Sequence, residues 1–145
     1  RSKNPFVFSS TSQFVQDNIL GFKRIIHFYN LWFKSRNIPR NFYLVRYEDL
    51  LENGVSELQR ICILLGINCD KNIIEETYYE SSAAKMRSQE INNELLGFNN
   101  FGKEMNQLKV RKAVIGSYLD ELNQEDINYC NVEMKTLNKY FKYSE

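Results

Sequence analysis

The stretch Phe42–Arg46 (FYLVR) is the feature that most limits what this chain can fold into. It is a short aromatic and β-branched run with apolar residues on both faces, the pattern of a buried strand in a parallel sheet. A lone buried strand cannot satisfy its own N–H and C=O groups. The rest of the chain reads as helix and loop, so the expected architecture is α/β, with these residues supplying a mostly helical portion and few of its strands.

The helical segments follow from periodicity and punctuation. Residues 1–10 read as a loop leading to a helix start, with Pro5 extending Asn4 and a Ser9–Ser12 cluster offering N-caps. From about Ser12 to Arg36, Val15, Ile19, Phe22, Ile26, Tyr29 and Phe33 recur at spacings of 4, 3, 4, 3 and 4, giving one long apolar stripe closed by Pro39. A second helix is expected over about Val55–Leu65, with Gly66 as its stop. Asp70 can cap a third, through roughly Tyr79. Asn, Gly and Ser interrupt the periodicity over 81–123, and no element is assigned there. A last helix starts after Asn123, with Asp126 in a capping-box-like position and Ile127, Cys130, Met134, Leu137 and Phe141 facing inward.

Composition narrows the class. With 145 residues, 43% of them hydrophobic, the chain suits one domain or part of a larger one. A net charge of +1, from 19 Lys and Arg against 18 Asp and Glu, counts against a broadly basic nucleic-acid surface. No apolar run approaches the roughly 18 residues of a membrane span. Cys62, Cys69 and Cys130 form no CxxC, and His27 is the single histidine, so no metal site is expected. The odd, scattered cysteines favour a reducing, cytoplasmic location. Because the first residue is Arg1, a targeting segment further upstream stays open.

Three stretches carry chemistry on local grounds. Tyr47, Glu48 and Asp49 follow the strand-like run, where α/β sheets bind ligands; equally, the two carboxylates open a helix at its positive end. Arg1 and Ser9 pair a guanidinium with a hydroxyl near a helix start, a combination suited to phosphate. Lys109, Arg111 and Lys112 form either an anion site or a solvated basic patch.

Residues 42–67 (FYLVRYEDLLENGVSELQRICILLGI) and 109–118 (KVRKAVIGSY) resemble landmarks of the PAPS-dependent sulfotransferase family. The first resembles its strand, YEDL-type corner and helix ending in FLG; the second resembles its RKGxxGDW signature, with Ala113, Ser117 and Tyr118 in place of the first glycine, the aspartate and the tryptophan. RSKNPFVFS, residues 1–9, is similar to the family's Arg/Ser pair that holds the 3′-phosphate. Phe28–Trp32 matches an aromatic stretch that implies only packing, and Ser82–Met86 is similar to a Ser-Phe-x-x-Met run beside the adenine, with Ala83 for the phenylalanine and Tyr78 or Tyr79 as substitute rings.

The resemblance implies a P-loop-type fold, of which residues 1–145 would be the C-terminal part, and a transfer of a sulfuryl group from PAPS to a hydroxyl or amine acceptor, leaving PAP, with no metal. Arg1, Ser9, Arg111, Lys112 and the backbone at Ala113 would hold the 3′-phosphate. Tyr47, Ser82 and Met86 would lie near the adenine, while Glu48 and Asp49 organise the corner. If Ala113 needs positive φ, its side chain costs energy that glycine avoids. The family's phosphate loop with its lysine, and its histidine base, precede the Arg/Ser pair; no GxxxxGK[ST] occurs in these residues, and His27 stands elsewhere in chain order and reads as structural. No catalytic residue is therefore assigned, and the chain alone is expected to be inactive. The unpaired edge of FYLVR makes self-association an expectation. The competing class is a helical interaction module without a nucleotide; a single-stranded nucleic-acid binder using the 109–112 cations is disfavoured by the balanced charge.

Overall fold

A computed structural model describes residues 7–94, 104 and 107–143. In chain order the helices are α1 (Thr11–Val15), α2 (Phe22–Ser35), α3 (Tyr47–Leu65), α4 (Lys71–Glu80), α5 (Ala83–Ile91) and α6 (Gln124–Met134), with 3-10 turns at Ser117–Asp120 and Lys139–Phe141. The chain divides into two compact units, Arg1–Leu44 with Gly116–Glu145, and Val45–Ile115. None of the described helices is long and apolar enough to cross a membrane.

In the first unit the expected single helix over 12–36 is two helices. Asp17 Oδ1 accepts from the N–H groups of Ile19 and Leu20 at 2.9 and 2.7 Å, so a side chain competes with the helical ladder and turns the backbone. Gly21 then caps α2, and a Cβ there would meet the carbonyl oxygens of Asp17, Val15 and Phe14 at 2.5–2.6 Å. The chain folds back this tightly because residue 21 has no side chain. Downstream of the break the periodicity holds. Ile26, Leu137 and Phe141 form the buried cluster, with Phe22, Tyr29, Phe33, Leu44, Met134 and Tyr143 around it. Tyr29 meets Phe141 edge-on at 5.0 Å.

Polar side chains join the helices of this unit at their ends. Asp126, in the first turn of α6, is 1% exposed, and its Oδ1 accepts from Ser12 Oγ at 2.7 Å and Gln16 Nε2 at 2.8 Å. The Asn30 amide works in both directions, donating to the Thr136 carbonyl and accepting from the Asn138 N–H, each at 2.9 Å. As expected, α6 starts after Asn123, whose side chain accepts from the Asp126 N–H. The helix ends at Met134, and Leu137 and Phe141 reach the core from the following turns.

The expected strand at 42–46 is not formed, and the described residues contain no strand. A strand exists by pairing, and the described residues offer no neighbouring strand to pair with it. The alternation of a strand survives in side-chain placement: Phe42 stacks near Trp32 and Tyr140, Leu44 packs on the core cluster, and Tyr43 between them is exposed. The parallel sheet of the expected α/β architecture thus has no counterpart among the described residues, which are mostly helical.

In the second unit α3 begins eight residues earlier than the apolar periodicity indicates, at Tyr47 rather than Val55. Glu48 and Asp49 lie in its first turn, 3.8 and 3.9 Å from the Arg46 guanidinium, so the corner is organised by charges at a helix N-terminus. A kink at Asn53 (φ −132°, ψ 32°) precedes Gly54, against which the Tyr78 ring of α4 packs. The Tyr78 hydroxyl donates to the Leu51 carbonyl at 2.9 Å, locking α4 on α3. Gly66 ends α3 in the left-handed conformation (φ +70°), and Asp70 caps α4, both as expected.

Gly21→Ala is expected to lower stability by about 2–3 kcal/mol, because three backbone oxygens must move to admit one methyl group. Asp126→Ala, which leaves the Ser12 and Gln16 donors without their acceptor, is expected to cost a similar ~2–3 kcal/mol. Urea unfolding of the two variants beside the parent chain measures both.

Candidate functional site

Helix α5 follows α4 after a short turn and owes its start to Ser82, whose hydroxyl accepts from the Lys85 N–H. Met86 is half-buried one turn further on. The next two turns carry the residues that organise the site. The Arg87 guanidinium donates from Nε to the Val110 carbonyl at 3.2 Å and from a terminal nitrogen to the Arg111 carbonyl. Glu90 is 3% exposed, and its Oε2 accepts from the Val110 N–H at 3.2 Å. Leu108, buried just before, anchors the segment by its side chain.

These contacts hold the main chain of 110–111 and leave the following side chains to solvent. Arg111 and Lys112 are both exposed. Ala113 adopts φ +51° and Gly116 φ +80°. The conformational demand at Ala113 is therefore real: the residue standing where the resembled signature has its first glycine sits in the region that favours glycine. At Gly116 a Cβ would meet nothing within 4 Å, so glycine there answers to φ rather than space. Two adjacent cations beside a turn pinned from behind are suited to an anion carrying several oxygens, since a guanidinium gives a forked, charge-assisted contact and an ammonium a point charge.

Of the residues singled out from sequence, Ser82 and Met86 belong to α5 of the second unit and its cap, and Arg111, which Lys112 and Ala113 follow, is held to that helix by its carbonyl. Tyr47 belongs to the same unit, at the exposed first position of α3. Ser9 lies in the first unit, where its N–H and hydroxyl both donate to Gln13 Oε1, at 2.7 and 2.8 Å; the cap of α1 is Ser10. Arg1 falls outside the described residues. Of the two substitute rings, Tyr78 is engaged in packing and Tyr79 is 70% exposed. His27 is exposed on α2.

Arg87 and Glu90 were not legible as site residues. Three apart on a polar helix, they read as a solvated ion pair; only the burial of Glu90 and the position of Val110 show that they serve the backbone of another segment. The first unit also has a half-open pocket of about 610 Å³, lined by Phe22, Ile26, Tyr29, Leu122, Ile127 and Met134 among others.

With this geometry in hand, comparison with known proteins decides the family: the model of the sulfotransferase domain matches residues 2–141. The chain belongs to the sulfotransferase family. No curated protein and no solved structure gives a significant match. Sulfuryl transfer, from a nucleotide donor to an acceptor substrate, is the chemistry of that family. The turn at 110–116, held on α5, falls within the matched sulfotransferase domain.

Ala113→Gly is expected to stabilise the domain by about 0.5–1 kcal/mol, the relief of left-handed strain exceeding the entropy that glycine adds to the unfolded chain. Glu90→Ala is expected to speed hydrogen exchange of the Val110 amide, which donates to the Glu90 carboxylate, by tenfold or more while leaving exchange along α6 unchanged, as read by mass spectrometry.

Proposed function

We propose that this chain carries the nucleotide-side half of a PAPS-dependent sulfotransferase site. In this reading Arg111 and Lys112, with the backbone at Ala113, hold the 3′-phosphate, and Ser82 and Met86 lie toward the adenine with Tyr47. The observation that supports the proposal is the holding of the Val110 and Arg111 main chain by Arg87 and Glu90 onto the helix that begins at Ser82 and bears Met86. Two stretches more than twenty residues apart, each singled out for one nucleotide, are brought to a common helix.

The chemistry of the complete site would be in-line displacement at sulfur. Catalysis there rests on positioning the donor and on stabilising charge at the bridging and leaving oxygens. Binding of the 3′-phosphate by Arg111 and Lys112 supplies the positioning. The lysine-bearing phosphate loop and the general base lie outside these 145 residues in this reading, so the residues present orient the donor and do not themselves transfer a proton. The acceptor is a hydroxyl or amine compound.

Calorimetric titration with PAP, and with AMP as control, tests this. PAP is expected to bind at least tenfold more tightly than AMP, and Arg111→Ala to weaken PAP about 10–100-fold, the range of a lost charge-assisted contact. Equal affinity for the two nucleotides, or an Arg111→Ala variant that binds PAP as the parent does, would overturn the assignment. The 145-residue chain incubated with PAPS and a panel of alcohols and amines is expected to give no PAP; turnover that disappears in Arg111→Ala would show instead that the catalytic groups are within it.

A further inference from the structure

Cys62 lies in the last turn of α3, and Cys69 directly precedes Asp70, the cap of α4. Between them the left-handed Gly66 reverses the chain, the Ile67 N–H returning to the Cys62 carbonyl at 2.8 Å and the Gly66 N–H to that of Ile63 at 3.1 Å. Both ends of this seven-residue step are therefore fixed, one by a helix terminus and the other by a capped helix start. The result is that the two Sγ atoms lie 3.8 Å apart, the Cys62 thiol donating to Cys69. Both thiols are free and half-buried, and the residues from Ile63 to Asn68 that connect them are exposed.

Neither cysteine has a part in the nucleotide site proposed above. Simple packing of two thiols does not need two separate backbone stops that bring the sulfurs together. We propose that Cys62 and Cys69 form a reversible dithiol–disulfide site that reacts with low-molecular-weight disulfides of the glutathione class. The thiolate of Cys69, in the loop, attacks one sulfur of the glutathione disulfide, forming a mixed disulfide and releasing one glutathione thiolate. Cys62 then gives its proton to that leaving thiolate or to water and attacks Sγ of Cys69, expelling the second glutathione. Two electrons pass from the protein thiols to the external disulfide, and one dithiol plus one disulfide yields one intramolecular disulfide plus two glutathione thiols. The bond would tie the end of α3 to the start of α4 in a turn that already has that shape. Burial and the neighbouring sulfur push the Cys62 thiol up, which disfavours it as the first nucleophile.

Cys130 serves as an internal control. It lies on α6 in the other unit, and burial, followed by the charge of Asp126, pushes its thiol up. The full chain is incubated across a series of glutathione disulfide to glutathione ratios, quenched with N-ethylmaleimide, and analysed by intact mass and peptide mapping. The expected product has lost two hydrogens, carries one maleimide at Cys130, and gives a peptide linking Cys62 to Cys69 that dithiothreitol separates. In Cys62→Ser the link is expected to vanish, with glutathione retained on Cys69. A parent chain that keeps a glutathione adduct without the internal link, links either residue to Cys130, forms covalent dimers, or remains alkylated at all three thiols in excess disulfide would overturn the proposal. Peptide mapping of the parent chain decides the matter even where the serine variant does not fold.

Discussion

A carboxylate taken out of water must find donors, and in each unit of this chain it finds them on a distant stretch of sequence. Asp126 draws the hydroxyl of Ser12 and the amide of Gln16 to the start of α6, across more than a hundred residues. Glu90 draws the Val110 N–H to α5. Unpaired, either group would carry a desolvation penalty that outweighs any one apolar contact nearby. Hydrogen-bonded, each fixes a register that hydrophobic contact alone would leave loose. The aromatic cluster of the first unit and the α3–α4 pair of the second supply burial; the carboxylates decide which segments share it.

Where the sequence could be read and where it could not follow from this division. Local signals were legible: the Gly66 stop, the Asp70 and Asn123 caps, and the inward placement of Phe22, Ile26, Tyr29, Phe33, Leu137 and Phe141 all appear in the structure. The break at 16–21 has a local cause too, since Asp17 and Gly21 interrupt the stripe, but an apolar repeat through Val15 and Ile19 masked it. Ile19 is exposed in the turn. The early start of α3 was hidden because its first turn is held by charge and not by apolar spacing. FYLVR has the composition of a strand, yet pairing is a property of two segments, and the described residues offer no second one.

The site divides in the same way. Arg111, Lys112 and Ala113 could be singled out because their chemistry is carried by their own side chains or conformation. Arg87 and Glu90 act through the main chain of other residues, and that role leaves no mark on local sequence. The matched sulfotransferase domain spans these residues. The structure adds what holds them: a guanidinium and a buried carboxylate that grip one short segment by its carbonyl and amide groups.

That grip has a bearing on how such a domain diversifies. Because Arg87 and Glu90 hold peptide groups, which every residue other than proline presents alike, the path of the backbone at 110–111 does not depend on which side chains it displays. Substitution at Arg111 or Lys112 would alter the side chains that the segment displays while its main-chain contacts stay as they are. Ala113, two residues further on, takes a left-handed conformation without being glycine. The displayed side chains can change one at a time, whereas a single change at Arg87 or Glu90 would remove contacts that hold the backbone at 110–111.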